Sequence, residues 1–393
     1  MPGPGLSDAS FHRFNQQLIL GLAAAVLLVS CVNAGQWGAG GAGNDEGVGG
    51  IRGVGGSVAG VGGASTGGMT GAGGTIGSGG RAGTGGATGA GGRPGVGGAG
   101  MGGGGGASAI PKFVGNISTR GAIRAGFATY WDQFTPENEG KWGSVQPSQG
   151  NFNWAALDRE YAYAMSNNVI FKQHNFIWGS QQPGWVNSGN AQAAVQAWMN
   201  AFCQRYPNTR LIDVVNEPPP HTTPAYLNGI GGAGTSGYDW IANAFKWARA
   251  ACPNAILILN DFNNIEFTAD NNRTIDIVNR IKSVGAPIDA VGAQAHAAYN
   301  LSTATVKGFI DKITQQTGLP VYITEYDINV ADDTRQMTIM RDQITMYWND
   351  PNVRGITIWG YIVGSTWVAN SGLQQTSGAM RPAMTWLMSF LGR

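Results

Sequence analysis

The amino-acid sequence predicts an α/β fold, a (β/α)8 TIM barrel, preceded by a disordered glycine-rich linker. Three observations carry that expectation. After residue 107, short apolar stretches alternate eight times with amphipathic helical stretches, the pattern of a parallel sheet covered by helices. Glu137, His174, Glu217, Asp261, His296, Glu325 and Trp359 stand at or just past the C-terminal ends of the apolar stretches. An open sheet meets its ligand at one switch point, whereas a barrel brings all its C-terminal strand ends to one face. Finally, most of the 64 glycines precede residue 107, so the 393-residue chain has one large core to bury rather than two or three.

Residues 1–34 read as an export signal: His12 and Arg13, an apolar run over 18–29, then small residues. That run is short for a bilayer span. Two processing readings compete. Leu28-Val29-Ser30-Cys31 resembles a bacterial lipobox, in which Cys31 is lipidated and becomes the N-terminus. Val32-Asn33-Ala34 fits the small-x-small site of ordinary secretion. The lipobox is favoured, because the cysteine directly follows the apolar run. Residues 35–107 are glycine with Ala, Ser, Thr and Val in irregular units. Chance GxGxxG matches there lack a preceding strand and a following helix, which excludes a nucleotide loop. Such a tether has an r.m.s. span of roughly 40–50 Å. The catalytic barrel is expected over 108–393.

The elements follow in order. Residues 112–117 (KFVGNI) form the first strand, and the weakly patterned segment after it is too short for a full first helix. The second strand end lies in 131–138. A helix over 154–166 leads into the third strand, 170–178 (IFKQHNFIW). A helix over 191–205, with apolar positions three and four apart, leads into the fourth strand at Leu211. Helices over 238–251, 271–284, 303–317 and 334–348 then alternate with strands over 255–261, 290–296, 320–327 and 353–360. A helix over 380–391 closes the chain.

The fourth strand, LIDVVN, is apolar except for Asp213 and Asn216. It stops at Asn216-Glu217 before three prolines, which cannot continue a ladder. The seventh ends in Glu325. Two glutamates on different strands, with no nucleophile–base pair of another kind, point to carboxylate chemistry on a glycosidic bond. One must stay protonated and the other ionised. Glu217, hemmed in by Asn216, Pro218 and aromatic rings, is expected to be raised by desolvation. Glu325 is expected to be held ionised by His296, itself oriented by Asp327. Asn216 is placed to bond a sugar 2-hydroxyl.

The motifs TPENEGKW (135–142), HNFIWGSQQPGW (174–185), DVVNEP (213–218), LNDFN (259–263), GAQAH (292–296), ITEYDI (323–328) and ITIWGY (356–361) come in one order over nearly the whole folded region. In them the chain resembles the family 10 glycoside hydrolases, the retaining endo-β-1,4-xylanases. The resemblance implies Glu217 as acid/base and Glu325 as nucleophile, roughly 5–5.5 Å apart. It implies that Glu137, Asn138, Lys141, His174, Trp178, Asn216, Gln294, His296, Trp359 and Trp367 line the glycone subsites. Xylan or xylo-oligosaccharides would be the substrate and no cofactor would be needed; the chain is expected to act as a monomer. Two alternatives stand beside this. A cellulase or mixed-linkage glucanase would use the same carboxylates, but its cleft must admit a C6 hydroxymethyl group, which the bulk of Trp359 and Trp367 opposes. A non-catalytic surface glycan-binding barrel is disfavoured by the presence of both carboxylates. Gly179 and Phe262 depart from the family, which more often has histidine and tyrosine there.

Other classes have little support. With a net charge of +1 and 12% charged residues, the chain has no basic stripe for nucleic acid. Four histidines, with no HExxH and no Cys–His cluster, give no metal motif. Of three cysteines, lipidation of Cys31 would leave Cys203 and Cys252, which form either a disulfide or two buried thiols. His221, after the three prolines, reads as an ordinary loop residue.

Overall fold

The computed structural model describes residues 110–393; the expected export signal, Cys31 and the linker lie outside the described residues. Eight strands form one closed parallel barrel: β1 (Val114–Ile117), β2 (Gln133–Thr135), β3 (Ile170–Trp178), β4 (Leu211–Asn216), β5 (Ile256–Asp261), β6 (Ala290–Ala293), β7 (Val321–Tyr326) and β8 (Val353–Ile358). Each pairs with the next, and closure is made by β1 on β8, with Val114 opposite Ile356 and Asn116 opposite Ile358. The predicted barrel is therefore the observed one.

The helices are α1 (Phe127–Tyr130), α2 (Trp142–Val145), α3 (Ala155–Ser166), α4 (Ala191–Arg205), α5 (Asp239–Ala251), α6 (Thr268–Ser283), α7 (Thr303–Thr317), α8 (Asp333–Asn349) and α9 (Pro382–Leu391). After β1 there is only the four-residue α1, as the weak pattern there implied. In α4 the buried side chains Ala191, Val195, Trp198, Met199, Phe202 and Cys203 repeat at three- and four-residue spacing, which puts them on one face. Local chemistry sets several ends. Ser302 and Asp332 cap α7 and α8 through Thr305 N and Arg335 N, Gly318 ends α7 in the left-handed region, and Pro382 opens α9.

The core is layered in a way that explains the site. Phe113, Leu211, Ile258, Ala290 and Tyr322 form a small apolar cluster at or near the N-terminal ends of their strands. Polar side chains also sit inside the barrel wall: Thr357 donates to Gln133, which donates to Thr135. Register shifts fall at His174/Ile177 between β3 and β4, at Asp213/Val215 between β4 and β5, and at Ile323/Tyr326 between β7 and β8. These three lie next to predicted site residues, where a shift re-aims the following side chain; a fourth, at Val321/Tyr322, lies at the start of β7. Much of the tryptophan is spent on packing: Trp198 is stacked between Trp142 and Trp154, at 6.3 and 5.8 Å.

Cys203, near the end of α4, is bonded to Cys252, just past α5. Of the two readings of these thiols, the disulfide is the observed one. It closes a 49-residue separation, and constraining such a loop in the unfolded chain stabilises by about 2–4 kcal/mol. Replacing both cysteines with alanine should lower unfolding free energy by about that much in a denaturant titration; an unchanged midpoint would contradict the bond.

Candidate active site

Glu217 is the first residue past β4, and its backbone sits in the left-handed region at φ 51°. A non-glycine residue held there costs on the order of 1–3 kcal/mol and must be fixed by its surroundings. Three hydrogen bonds do this. Glu217 N donates to Asn260 O at 2.8 Å, and its carbonyl accepts from Thr222 N and Thr222 Oγ1. The carboxyl itself accepts from Trp178 Nε1 at 2.8 Å and Gln294 Nε2 at 3.2 Å. Burial pushes its pKa up, and the charge on Glu325 adds to that. The two hydrogen bonds and the Lys141 ammonium pull the other way without reversing it.

Glu325 has the opposite balance. It is 5% exposed, and burial alone would raise it. His174 (Nδ1 3.9 Å from Oε1), His296 (Nε2 3.3 Å from Oε2) and the Lys172 ammonium outweigh burial and hold it at about 2. Asn260 Nδ2 donates to the other oxygen at 2.8 Å. His296 is an imidazolium at neutral pH: burial disfavours the charge, but Asp327 and Glu325 raise its pKa to about 10. Its Nδ1 lies 2.9 Å from Asp327 Oδ2, which also accepts from Trp367 Nε1 at 2.9 Å. The two carboxyls are therefore pushed apart, Glu217 toward holding a proton and Glu325 toward holding a charge.

The remaining predicted residues gather around this pair. Asn216 is buried, and its Oδ1 accepts from Asn260 and Gln294, which leaves its amide N–H groups for a ligand. Lys141 donates to Asn138 Oδ1 at 3.0 Å and lies 4.9 Å from the centre of the Trp178 ring. Burial lowers the pKa of Lys141, against the raising effect of Glu325, Glu137 and Glu217. Glu137, on the same loop after β2, accepts from Arg120 N, and burial raises it. His174 is held by Asp213 at 2.9 Å and meets Trp359 edge-on at 5.2 Å. Trp367 is 47% exposed, edge-on to His296 at 4.8 Å. Among the described residues no group of three or more His, Cys, Asp and Glu is arranged to hold a metal ion.

Sequence reasoning missed four residues. Asn260, Asp213 and Lys172 lie inside the strands. Asp213 pairs with Lys172 at 2.8 Å behind His174, and a carboxylate within an apolar strand was the available signal, since it needs a buried cation. The fourth, His221, is no idle loop residue as expected. Its Nδ1 lies 2.7 Å from Asp261 Oδ1 and its Nε2 3.3 Å from Asp270 Oδ1. Gly179 also gains a reason: a Cβ there would meet Thr223 N at 2.6 Å, so the loop after β4 occupies the space a side chain would need.

Fold and site define a (β/α)8-barrel protein with a half-buried glutamate, Glu217, and a buried one, Glu325, whose proton affinities are shifted in opposite directions at the C-terminal ends of its strands. The model of glycosyl hydrolase family 10 matches residues 105–389, and the chain belongs to that family. Endo-1,4-beta-xylanase B of Cellvibrio japonicus (strain Ueda107) is 48% identical over 282 residues, which are 71% of this chain and 45% of that protein. The chain thus spans under half the length of that relative. Endo-1,4-beta-xylanase B of Thermotoga neapolitana is 28% identical over 60% of this chain and 71% of its own. Native xylanase 10B from Thermotoga maritima has the same fold, at a TM-score of 0.63 and 22% identity, covering 72% of this chain and 95% of that one.

Two outcomes follow from this geometry. Replacing His296 with alanine should raise the Glu325 pKa from about 2 toward or past the ordinary glutamate range, read by carboxyl NMR titration. A Cβ at residue 292 would collide with Asn260 Oδ1. Gly292→Ala should therefore cost about 1–3 kcal/mol in unfolding free energy and loosen the Asn260 bonds to Asn216 and Glu325.

Proposed function

We propose that the chain is a retaining endo-β-1,4-xylanase that hydrolyses internal bonds of xylan by double displacement. The observation that carries this is the split between the two glutamates: burial and the neighbouring charge raise the proton affinity of Glu217, while His174, His296 and Lys172 lower that of Glu325. In the first step a Glu325 oxygen bonds the anomeric carbon as the glycosidic C–O bond breaks, and Glu217 gives its proton to the leaving oxygen. In the second, Glu217 takes a proton from water, whose oxygen displaces Glu325. Trp178 and Gln294 aim the Glu217 carboxyl. Asn216, with its oxygen already bonded, presents N–H groups to the 2-hydroxyl, and Asn138, Lys141 and Glu137 meet further hydroxyls.

Xylan as the substrate is supported by the activity for which the 48%-identical Cellvibrio protein is named. The bulk of Trp359 and Trp367 would crowd the C6 group of a glucan. A cellulase or mixed-linkage glucanase is the second reading. We place the chain outside the cytoplasm, either anchored through Cys31 or secreted, and acting as a monomer. The apolar run before Cys31 and the Cys203–Cys252 disulfide support export.

Reducing-sugar release should be large from xylan and small from carboxymethyl cellulose; the reverse result refutes the xylan reading. Proton NMR of early product should show the β-anomer first. Glu325→Ala should abolish turnover while sugar binding persists. The alkaline limb of kcat/KM should lie above the ordinary glutamate range, because activity is lost as Glu217 gives up its proton.

A further inference from the structure

We infer that His221 is a positioning residue for Glu217, tying the loop after β4 to the tip of β5 and to the first turn of α6 so that the acid proton stays aimed at the leaving oxygen. This rests on Glu217 being the proton donor.

The loop closes tightly behind Glu217: Thr222 N donates to Glu217 O at 3.1 Å and His221 N to Pro218 O at 3.2 Å. His221 is the side chain that reaches out of this turn. Its ring lies flat on Phe262, 3.8 Å between centres and 18° between planes. Its two nitrogens face carboxylates of two different elements, Asp261 on β5 and Asp270 on α6. A neutral imidazole has one N–H and could donate to only one of them, so the arrangement calls for the imidazolium. Burial opposes that charge, but the two aspartates outweigh it and raise the pKa to about 9. Asp261 is itself fixed, accepting from Phe262 N at 3.0 Å, and Asp270 is paired with Arg273.

The consequence for Glu217 is geometric. Its backbone N is bonded to the carbonyl of Asn260, one residue before Asp261. The tips of β4 and β5 are thus joined on both sides of the acid, by Asn260 O before the loop and by His221–Asp261 within it. Glu217 sits between these ties in a left-handed conformation it would leave if the turn unbent. Without His221, the inner tie through Asn260 and the Glu325 cluster remain, while the outer tie is lost.

A general acid matters only when the leaving oxygen needs its proton. A dinitrophenolate departs without one, so kcat/KM for a dinitrophenyl β-xylobioside reports attack by Glu325 alone. In His221→Gln, kcat/KM on xylohexaose should fall about 10- to 100-fold, while kcat/KM on the dinitrophenyl substrate stays within about twofold. Asp270→Asn, which leaves the His221–Asp261 bond in place, should give a smaller selective fall; it carries the comparison if His221→Gln does not fold. An equal fall on both substrates, or no fall on xylohexaose, overturns the inference and leaves the xylanase reading standing. A wild-type chain inactive on both substrates overturns that reading, and this inference with it.

Discussion

The side chain of Asn260 is the contact on which the rest of the site depends. Rooted in β5 and fully buried, it donates to Asn216 at the end of β4 and to Glu325 near the end of β7, both at 2.8 Å. Its oxygen accepts from Thr324 at 2.6 Å, and its carbonyl takes the backbone N of Glu217. To reach β7 it must pass β6, and it can only because residue 292 is glycine. A single amide therefore ties the end of β4 to Glu325 on β7, using a rigid side chain rather than loop contacts. Because both N–H groups and the side-chain oxygen of Asn260 are buried and used, a shift of one partner leaves a polar group unpaired, which costs about 1–3 kcal/mol.

On that frame, electrostatics separates two chemically identical groups. Glu325 has His296, backed by Asp327, on one side and His174 and the Lys172 ammonium, sharing Asp213, on the other. Glu217 has aromatic and amide neighbours and the repulsion of Glu325. The linkage signs differ accordingly. Glu325, depressed in the folded state, contributes stability that is present above the ordinary glutamate value and lost as pH falls toward about 2. Glu217, raised in the folded state, contributes stability that is present at low pH and lost as pH rises through its folded value.

Much of the organisation was legible in the sequence because it rests on period and position. Strand and helix alternation survives reading without coordinates, since each element buries a face of fixed period. The chemical residues sit at strand ends, a place that the end of an apolar run marks. Glu217 and Glu325 were visible in this way, as were His296 and its partner Asp327. Asn260, Lys172 and Asp213 were not singled out as site residues, because inside a strand the sequence does not show which neighbour a polar side chain meets. His221 was set aside for the same reason: its two carboxylates come from residues 40 and 49 positions away.

The sequence by itself determined the barrel and placed Glu217 and Glu325 at or near the ends of two of its strands. Apolar periodicity and the polar residues that interrupt it are local properties. Only the tertiary structure decided that Cys203 and Cys252 are joined, that Asn260 ties β4 to β7, and that Gly179 and Gly292 are the places where loop and side chain pass. Those depend on burial and on distances between groups far apart in the chain, and neither exists until the barrel has closed.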